Sequence, residues 1–508
     1  MPDELIQAGV DVTRHLFLAA AALLAVPALA QDKKDEPAPQ TQETRKPQVV
    51  VTRGAGTFGG QRVNYTATAG ETFLKGDDGA PKAAITYYSY VKEPRDPSRP
   101  VTFLFNGGPG SGSVWLHMGA FGPKRVGIPS NGTDDGAPPY PIVDNPDALL
   151  DVTDIVFIDP VGTGFSHALG KTDPKDYWGV TKDAKAVAQF IRLWLNDNGR
   201  WNSPKYLGGE SYGTTRSAAV ANELEGAYND VALNGIILIS TILDFGAQAE
   251  VEGNDMPYII SLPSYAAVAW YHNKVTDRPA VLEPFLAEAR AFATGPYATA
   301  LMKGQALQGP ERDQVRTQLA RFTGLSEAFL ERTDLRPGPG RFWKELLRDR
   351  GLVVGRLDSR YTGRDRDTAG EEFDNDPSFY GIDAGYTAAV NAYVRDTLGF
   401  KTDRSYVTIG SVQPWDWTLQ GGESTYYKSV APYIGRAMRE NSGLRVFVGQ
   451  GYYDFATPFF GAEYALTRTG FPQDRITYSY YQSGHMMYVR DEDRSKLSRD
   501  VRAFIRGR

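Results

Sequence analysis

The stretch PKYLGGESYGT (residues 204–214) contains the only Gly-x-Ser-x-Gly pattern in the chain, with Ser211 at its centre. Residues 205–207 have the composition of a short buried strand, and the residues from Thr214 onward follow a helical pattern. Glycine on both sides of the serine fits a sharp turn, because glycine adopts backbone angles that other residues avoid. This strand–turn–helix arrangement predicts that Ser211 is presented as a nucleophile at the end of a strand.

Further apolar runs on both sides of this turn predict a sheet. They cover residues 101–105, 154–158, 205–207, 234–240, 444–448 and 475–480, and helical patterns occur at 182–196, 214–225 and 495–505. Near-continuous apolar strands that alternate with amphipathic helices are typical of a mostly parallel sheet covered on both faces. Three β-rich runs, at 48–52, 62–68 and 83–91, predict an antiparallel edge. The predicted fold class is therefore α/β.

The alternation of strands and helices stops between residues 247 and 395. This segment is richer in helical patterns, at 281–293, 311–322, 327–331 and 342–350. We interpret it as a helical cap inserted over the carboxyl-terminal edge of the sheet. The predicted organisation is a signal peptide (1–30), a disordered leader (31–48), a first part of the core (49–246), the cap (247–395) and a second part of the core (396–508).

The N-terminal segment resembles an export signal. Residues 16–30 (LFLAAAALLAVPALA) form an apolar run that follows Arg14 and ends in Ala-Leu-Ala. A small-x-small ending is the pattern that signal peptidase cuts, and the run is short for a membrane span. We therefore expect a periplasmic or secreted protein, cleaved near Ala30 and without a stable membrane anchor. The segment before Arg14 is acidic, which is unusual for a signal peptide, so translation from Val12 is a further hypothesis.

The composition excludes several classes of protein. The chain has 508 residues, of which 41% are hydrophobic, and it contains no cysteine. This apolar content supports a large core and excludes a wholly disordered chain. Without cysteine there is no disulfide, thiolate nucleophile or cysteine-bound metal. The net charge of −6 argues against nucleic-acid binding. No metal or nucleotide motif is complete, so no cofactor is expected, and the oligomeric state is left open.

A serine nucleophile needs a base, and the candidates are the histidines of the chain. In α/β-hydrolases the catalytic residues follow one another in the order serine, acid, histidine. Only His485 lies in the last part of the core, just after the apolar run at 475–480. The other four do not fit this order: they are His15 in the signal segment, His117 and His167 before the serine, and His272 in the cap segment.

The acid of the triad is expected in a loop after the preceding strand. Asp454 is the first acidic residue after the run at 444–448, and Asp244, which follows the run at 234–240, is the competing candidate. The position of Asp454 between a strand and His485 favours it. We therefore predict that Ser211, His485 and Asp454 act as nucleophile, base and orienting acid.

Five motifs together resemble one enzyme family. The segment NGGPG (106–110) follows the strand at 101–105 and fits a loop that offers backbone N–H groups to an oxyanion. With DIVFIDPVGTGFS (154–166), GGESYG (208–213), GYYDFAT (451–457) and SGHMM (483–487), it makes the sequence similar to the serine carboxypeptidase family of the α/β-hydrolases. These motifs occur in the family's order and span nearly the whole core, and the family also carries a cap.

The resemblance implies a peptidase that removes C-terminal residues from peptides with a free C-terminus, through an acyl-enzyme and preferably at acidic pH. It also implies that the N–H groups of Gly108 and Tyr212 form the oxyanion hole. Asn106 and Glu210 would hydrogen-bond the C-terminal carboxylate of the substrate. A carboxylate that faces another carboxylate repels it unless one of the two is protonated, so Glu210 is expected to act in its neutral form.

Departures from the family pattern leave two other functions open. Leu104, Ser111 and Met487-Tyr488 stand where the family usually has tryptophan, cysteine and Val-Pro, which leaves the side-chain preference undetermined. An esterase or acyltransferase on the same scaffold is the first alternative, and a non-catalytic peptide-binding relative is the second. Asn106 discriminates against the esterase, because a clamp for a carboxylate has no use in binding a neutral ester.

Overall fold

A ten-stranded sheet lies at the centre of the structure, with strands where the sequence predicts them. The computed structural model describes residues 45–225, 231–419, 427–468 and 470–507. The strands are β1 (Val49–Phe58), β2 (Gln61–Lys75), β3 (Pro81–Glu93), β4 (Val101–Phe105), β5 (Lys124–Val126), β6 (Ile142–Asp144), β7 (Asp154–Asp159), β8 (His167–Ala168), β9 (Lys205–Ser211), β10 (Gly235–Thr241), β11 (Val353–Val354), β12 (Thr362–Gly363), β13 (Arg445–Gly451) and β14 (Ile476–Tyr481).

The order of the strands establishes the fold class. The path through the sheet is β1-β2-β3-β7-β4-β9-β10-β13-β14, and β8 pairs with β3. The pairs from β1 to β7 are antiparallel, and every later pair on the path is parallel. The strands β5 and β6, and likewise β11 and β12, form separate two-stranded sheets. The predicted antiparallel edge and mostly parallel centre are thus confirmed, and the fold is that of the α/β-hydrolases.

Helices occupy the connections between the strands. The α-helices are α1 (Val180–Asn198), α2 (Tyr212–Leu224), α3 (Met256–Tyr271), α4 (Leu282–Phe292), α5 (Ala298–Lys303), α6 (Gly309–Thr323), α7 (Glu327–Arg332), α8 (Pro339–Glu345), α9 (Pro377–Tyr380), α10 (Asp383–Ala392), α11 (Ala431–Glu440), α12 (Phe459–Leu466) and α13 (Asp491–Ile505). Short 3₁₀ or π-helical turns lie at Leu116–Phe121, Pro174–Tyr177, Ala293–Tyr297, Gly304–Ala306, Arg348–Arg350, Tyr393–Thr397, Gln473–Arg475 and Met487–Val489.

Both faces of the sheet are covered, as the apolar strands predict. All five side chains of β4 are buried, and they alternate between the two faces. Phe103 and Phe105 belong to a core cluster that includes residues of α1 and α2. Leu104 belongs to a second cluster that includes residues of α13. A strand buried on both sides carries no polar alternation, which explains the continuous apolar run VTFLF.

Helices α3 to α10 lie between β10 and β13 in the chain, in the region where the sequence predicts an insertion. Their apolar side chains form a third cluster, built mainly on α3, α4 and α6 and joined by Tyr452 and Phe455 from the loop after β13. Residues Pro47–Arg508 form one compact unit. The segment therefore packs directly on loops that follow the strands. The exact bounds of the cap, 247 and 395, stay a prediction.

The N-terminal predictions fall largely outside the structure. The signal peptide (1–30) and residues 31–44 of the leader lie outside the described residues. Gln48, the last residue of the predicted leader, accepts a hydrogen bond from the backbone N–H of Glu71 in β2 and donates its own N–H to the Glu71 carboxylate, so the chain is held to β2 from Gln48 onward. Among the helices of the described residues, none has the length and apolar character that crossing a membrane requires.

Candidate active site

Ser211 lies at a strained turn between β9 and α2. Its backbone angles are φ 60° and ψ −130°, a region that residues other than glycine rarely adopt. A Cβ atom at Gly209 would lie 2.0 Å from the carbonyl oxygen of Gly213, so the two flanking glycines are required by the close crossing of the backbone. The hydroxyl of Thr214 donates to the carbonyl of Ser211 at 2.7 Å and accepts from the N–H of Ile242 at 2.9 Å. These contacts tie the turn to the end of the neighbouring strand β10.

His485 lies in the loop after β14, with its imidazole held at one nitrogen. Its Nδ1 is 2.7 Å from Oδ2 of Asp454. The backbone of His485 is also fixed, since its N–H donates to the carbonyl of Leu357 at 2.6 Å and its carbonyl accepts from the hydroxyl of Ser240 at 2.6 Å. Ser211 and His485 line the same cavity, which has a volume of about 320 Å³. The structure thus brings together the serine, histidine and acid that the sequence singles out.

Asp454 is fully buried and accepts hydrogen bonds on both carboxyl oxygens. Oδ1 accepts from the N–H groups of Ala456 at 2.8 Å and Thr457 at 3.0 Å. Oδ2 accepts from the hydroxyl of Thr457 at 2.6 Å, in addition to its contact with His485. This set of donors fixes which oxygen faces the imidazole. Sequence reasoning missed Thr457, although it lies in the quoted motif GYYDFAT, where a hydroxyl three residues after an acid can bond back to it.

The competing acid, Asp244, makes its hydrogen bonds with residues other than His485. Its Oδ2 accepts from the hydroxyl of Tyr427 at 2.7 Å, and its Oδ1 accepts from the N–H of Ala247 at 3.0 Å. These contacts stabilise the loop after β10. The acid that contacts His485 is Asp454.

The other described histidines make contacts that fit a structural role. Burial lowers the pKa of His117 to about 3, and its ring stacks on Phe157 with a centroid distance of 4.5 Å. Burial also lowers the pKa of His272, whose Nε2 lies 2.6 Å from the carbonyl oxygen of Ser359. The Nδ1 of His167 lies 2.9 Å from the carbonyl oxygen of Phe165. His15 lies outside the described residues.

The loop at residues 106–110 lies directly against the turn that carries Ser211. A Cβ atom at Gly107 would be 2.5 Å from the backbone nitrogen of Tyr212 and 2.6 Å from the carbonyl oxygen of Glu210. Gly107, Gly108 and Tyr212 all line the cavity that contains Ser211. The backbones of both predicted oxyanion donors, Gly108 and Tyr212, are therefore placed at the same cavity as the nucleophile.

Comparison with known proteins agrees with this geometry. The family model described as "Serine carboxypeptidase" matches residues 74–278, a range that includes the loop at 106–110 and Ser211. The curated protein serine carboxypeptidase-like 13 of Arabidopsis thaliana is 27% identical over 161 residues. Over this part of its length the chain is similar to serine carboxypeptidases. The alignment covers 31% of this chain and 36% of the Arabidopsis protein, so the chain matches about a third of that relative's length.

The solved structures to which the chain is similar include two hydrolytic enzymes. A thioesterase domain from the curacin biosynthetic pathway is 13% identical, with a TM-score of 0.34 over 85% of this chain and 98% of that domain. The juvenile hormone epoxide hydrolase of the silkworm Bombyx mori is also 13% identical, with a TM-score of 0.35 over 87% of this chain and 78% of that one.

Asn106 and Glu210 form a buried pair in the cavity that contains Ser211. The Nδ2 of Asn106 donates to Oε1 of Glu210 at 2.9 Å, and its Oδ1 accepts from the N–H of Leu116 at 3.0 Å. Both side chains are at most 3% exposed and line the cavity. Among the described residues, neither the other carboxyl oxygen of Glu210, Oε2, nor the hydroxyl of neighbouring Tyr488 has a hydrogen-bond partner of normal geometry. A buried carboxyl oxygen without a partner is costly, and a ligand in the cavity can supply one.

The pKa values of Glu210 and His485 depend on each other. Burial raises the pKa of Glu210 to about 7, although the charge of His485 and the interactions with Tyr488 and Asn106 act in the opposite direction. Burial lowers the pKa of His485, but the charge and hydrogen bond of Asp454, followed by the charge of Glu210, raise it above its usual value. The protonated glutamic acid with a neutral imidazole therefore competes with the ion pair formed by moving one proton between them.

Apolar side chains form much of the remaining wall of the cavity. Leu357 and Phe379 come from the segment between β10 and β13, and Trp115, Ile242, Phe245 and Met486 come from loops of the core. Apart from Met486, which lies in the motif SGHMM, these positions carry no motif, so sequence reasoning could not assign them to the site. Within the described ranges, no group of three or more His, Asp or Glu side chains is arranged to hold a metal ion.

Proposed function

We propose that the protein is a serine-type carboxypeptidase that releases C-terminal residues from peptides. The observation that carries this proposal is the buried Asn106–Glu210 pair, which lies in the same cavity as Ser211 and His485. A protonated Glu210 can donate a hydrogen bond to a substrate carboxylate, and the amide of Asn106 can donate a second. A site of this kind selects substrates that end in a free carboxylate at the residue next to the bond that is cut.

The chemistry follows from the roles of the triad. Ser211 attacks the carbonyl carbon of the last peptide bond while His485 accepts the hydroxyl proton at Nε2. Asp454 holds the proton of the imidazole on Nδ1 and stabilises the imidazolium. The backbone N–H groups of Gly108 and Tyr212 stabilise the negative oxygen of the tetrahedral intermediate. The imidazolium then protonates the leaving amine, and a water molecule activated by His485 hydrolyses the acyl-enzyme.

The pH dependence provides the test of this function. As pH rises through about 7, Glu210 ionises and repels the substrate carboxylate, so kcat/KM for a free-acid peptide is expected to fall. At low pH, His485 is protonated below its raised pKa and cannot act as a base. In Glu210→Gln the alkaline limb of the pH profile, which is the fall in kcat/KM as Glu210 ionises, should disappear. The acid limb should move to lower pH, because removing the charge of Glu210 removes one cause of the raised pKa of His485.

The measurement compares a blocked dipeptide with its C-terminal amide at pH 5 and pH 7. We expect the free acid to be preferred by at least about tenfold at pH 5, and by less at pH 7, since charge-assisted hydrogen bonds contribute about 1.5–3 kcal/mol each. Both substrates are hydrolysed by the same enzyme with the same base, His485. The ratio of their kcat/KM values therefore does not depend on the protonation of His485. Equal rates for acid and amide at pH 5 would instead indicate an esterase or acyltransferase. An alkaline limb that is unchanged in Glu210→Gln would remove Glu210 from the binding site.

We propose further that the protein acts outside the cytoplasm, in the periplasm or after secretion. The support is the apolar run at 16–30 with its Ala-Leu-Ala ending. N-terminal sequencing of the mature protein tests this, and a mature chain that still begins before residue 16 contradicts cleavage near Ala30.

A further inference from the structure

Two cavities lie side by side where the strands end, and they share part of their walls. The second cavity, of about 350 Å³, shares Ile242, Phe245, Arg356 and Ala456 with the Ser211 cavity. Asn106 and Glu210 line the first cavity and are not part of the second. If the proposed function holds, a peptide with its C-terminal carboxylate at Asn106 and Glu210 extends its N-terminal part from Ser211 past the shared wall toward the second cavity.

The backbone of Arg356 is held on both sides at this wall. Its N–H donates to Oδ1 of Asp376 at 3.0 Å, and its carbonyl accepts from the N–H of Phe455 at 3.0 Å. The next residue, Leu357, accepts from the N–H of His485 at 2.6 Å. The backbone of Arg356 is therefore fixed next to the residue that holds the loop of His485, and little backbone ordering is needed when a ligand binds.

The guanidinium of Arg356 has no ion pair or hydrogen bond with any of the described residues. The carboxylate of Asp376 is engaged by the backbone N–H groups of Arg356, Leu357 and Ser378. The positive charge of Arg356 lowers the pKa of His485, which is consistent with a position close to the reacting groups. A cation in this position is available to a negatively charged group on the substrate.

We infer that Arg356 is a specificity residue that binds an acidic side chain, Asp or Glu, on the residue immediately N-terminal to the bond that is cut. A guanidinium can hold a carboxylate through two parallel hydrogen bonds. The neighbouring side chains of the shared wall, Ile242, Phe245 and Ala456, are apolar and can contact the methylene groups of such a side chain. This inference names a substrate preference for the proposed peptidase and depends on that function.

Glu250 is the acidic residue that lines the second cavity. Its charge would favour a basic substrate side chain over an acidic one. It lines the second cavity and is not part of the first, and burial raises its pKa. A carboxyl group that ionises less readily repels a substrate carboxylate less. Glu250 therefore acts on residues further toward the N-terminus of the substrate, and the variant Glu250→Gln separates its effect from that of Arg356.

The experiment measures kcat/KM for three blocked dipeptides with a free C-terminus, benzyloxycarbonyl-Glu-Leu, -Gln-Leu and -Lys-Leu, at pH 6. The substrate glutamate is ionised at this pH. We expect the wild type to prefer Glu over Gln by about two- to fivefold, as for an ion pair with the exposed side chain of Arg356. The preference should fall to about one in Arg356→Met, and Arg356→Glu should prefer Lys over Glu. The control Arg364→Met, at an exposed arginine whose side chain lies near Gly351, should keep the wild-type ratio.

The outcomes separate this inference from the proposed function. Hydrolysis of the Gln peptide without a preference for Glu, or a preference that persists in Arg356→Met, overturns the inference alone. A preference for Lys that disappears in Glu250→Gln also overturns it, because Glu250 would then govern selection. A preference for benzyloxycarbonyl-Glu-Ala-Leu over benzyloxycarbonyl-Gln-Ala-Leu that is absent from the dipeptides overturns the assigned position. If the wild type hydrolyses none of the three peptides, the proposed function fails and the inference fails with it.

Discussion

Replacing Ser211 with alanine is expected to lower kcat for peptide hydrolysis by about 10⁶-fold, because no acyl-enzyme can form without the hydroxyl. The proposed oxyanion donors, Gly108 and Tyr212, and the proposed carboxylate-binding pair, Asn106 and Glu210, stay in place in this variant, so substrate binding should change little. The strained backbone at φ 60° is set by the turn and its glycines, and alanine has the same Cβ as serine. The thermal unfolding temperature should therefore stay within a few degrees of the wild-type value.

Single-turnover kinetics and labelling by a fluorophosphonate probe measure this effect. The probe should label the wild type at Ser211 and should not label Ser211→Ala. The exposed Ser98 provides the control, since Ser98→Ala should keep both the activity and the labelling. Activity of Ser211→Ala within about tenfold of the wild type would show that another residue is the nucleophile. A wild type that binds peptides but is not labelled would instead support the non-catalytic relative.

The fold and much of the site could be predicted because local patterns determine them. The strand before Ser211 and the helix after it are encoded within a dozen residues, and the crossing at Gly209 and Gly213 leaves room only for glycine. The pairing of His485 with Asp454 followed from chain order, since each comes after one of two adjacent parallel strands, β13 and β14. In such a sheet the loops after neighbouring strands meet at one edge.

The remaining features depend on tertiary contacts that no local pattern encodes. Arg356 lies in the helical insertion, without a motif, and reaches the site only because its neighbour Leu357 is bonded to the loop of His485. Asp244 also follows a strand, and the sequence could not show that Tyr427 engages it. The orphaned Oε2 of Glu210 is likewise a property of the packed cavity. Chain order thus indicates which residues meet, whereas the packing decides which of their polar atoms are left for a substrate.

The variant Asp454→Asn is expected to lower kcat by about 10⁴-fold through a change of tautomer, as in other serine triads. Oδ1 accepts two backbone N–H groups, so the asparagine must keep its carbonyl oxygen there and place its NH₂ group at the position of Oδ2. This NH₂ group donates to Nδ1 of His485 and moves the ring proton to Nε2. An Nε2 that carries a proton cannot accept one from Ser211. Because the charge and hydrogen bond of Asp454 raise the pKa of His485, the acid limb of the residual activity should also move to lower pH.

The variant Thr457→Val distinguishes control of the His485 tautomer by Asp454 from a destabilisation of the loop that carries Asp454. The substitution removes the hydroxyl that donates to Oδ2 at 2.6 Å but leaves the carboxylate and both backbone N–H bonds. We expect it to lower kcat by only about tenfold, with the proton of His485 still on Nδ1. The ¹⁵N chemical shifts of the imidazole report the tautomer directly, with the Nε2–H form in Asp454→Asn and the Nδ1–H form in Thr457→Val. If both variants lose the same activity and keep the same tautomer, Asp454 serves only to hold the loop. If the acid limb of the pH profile lies at the same pH in Asp454→Asn as in the wild type, the charge of Asp454 does not set the pKa of His485.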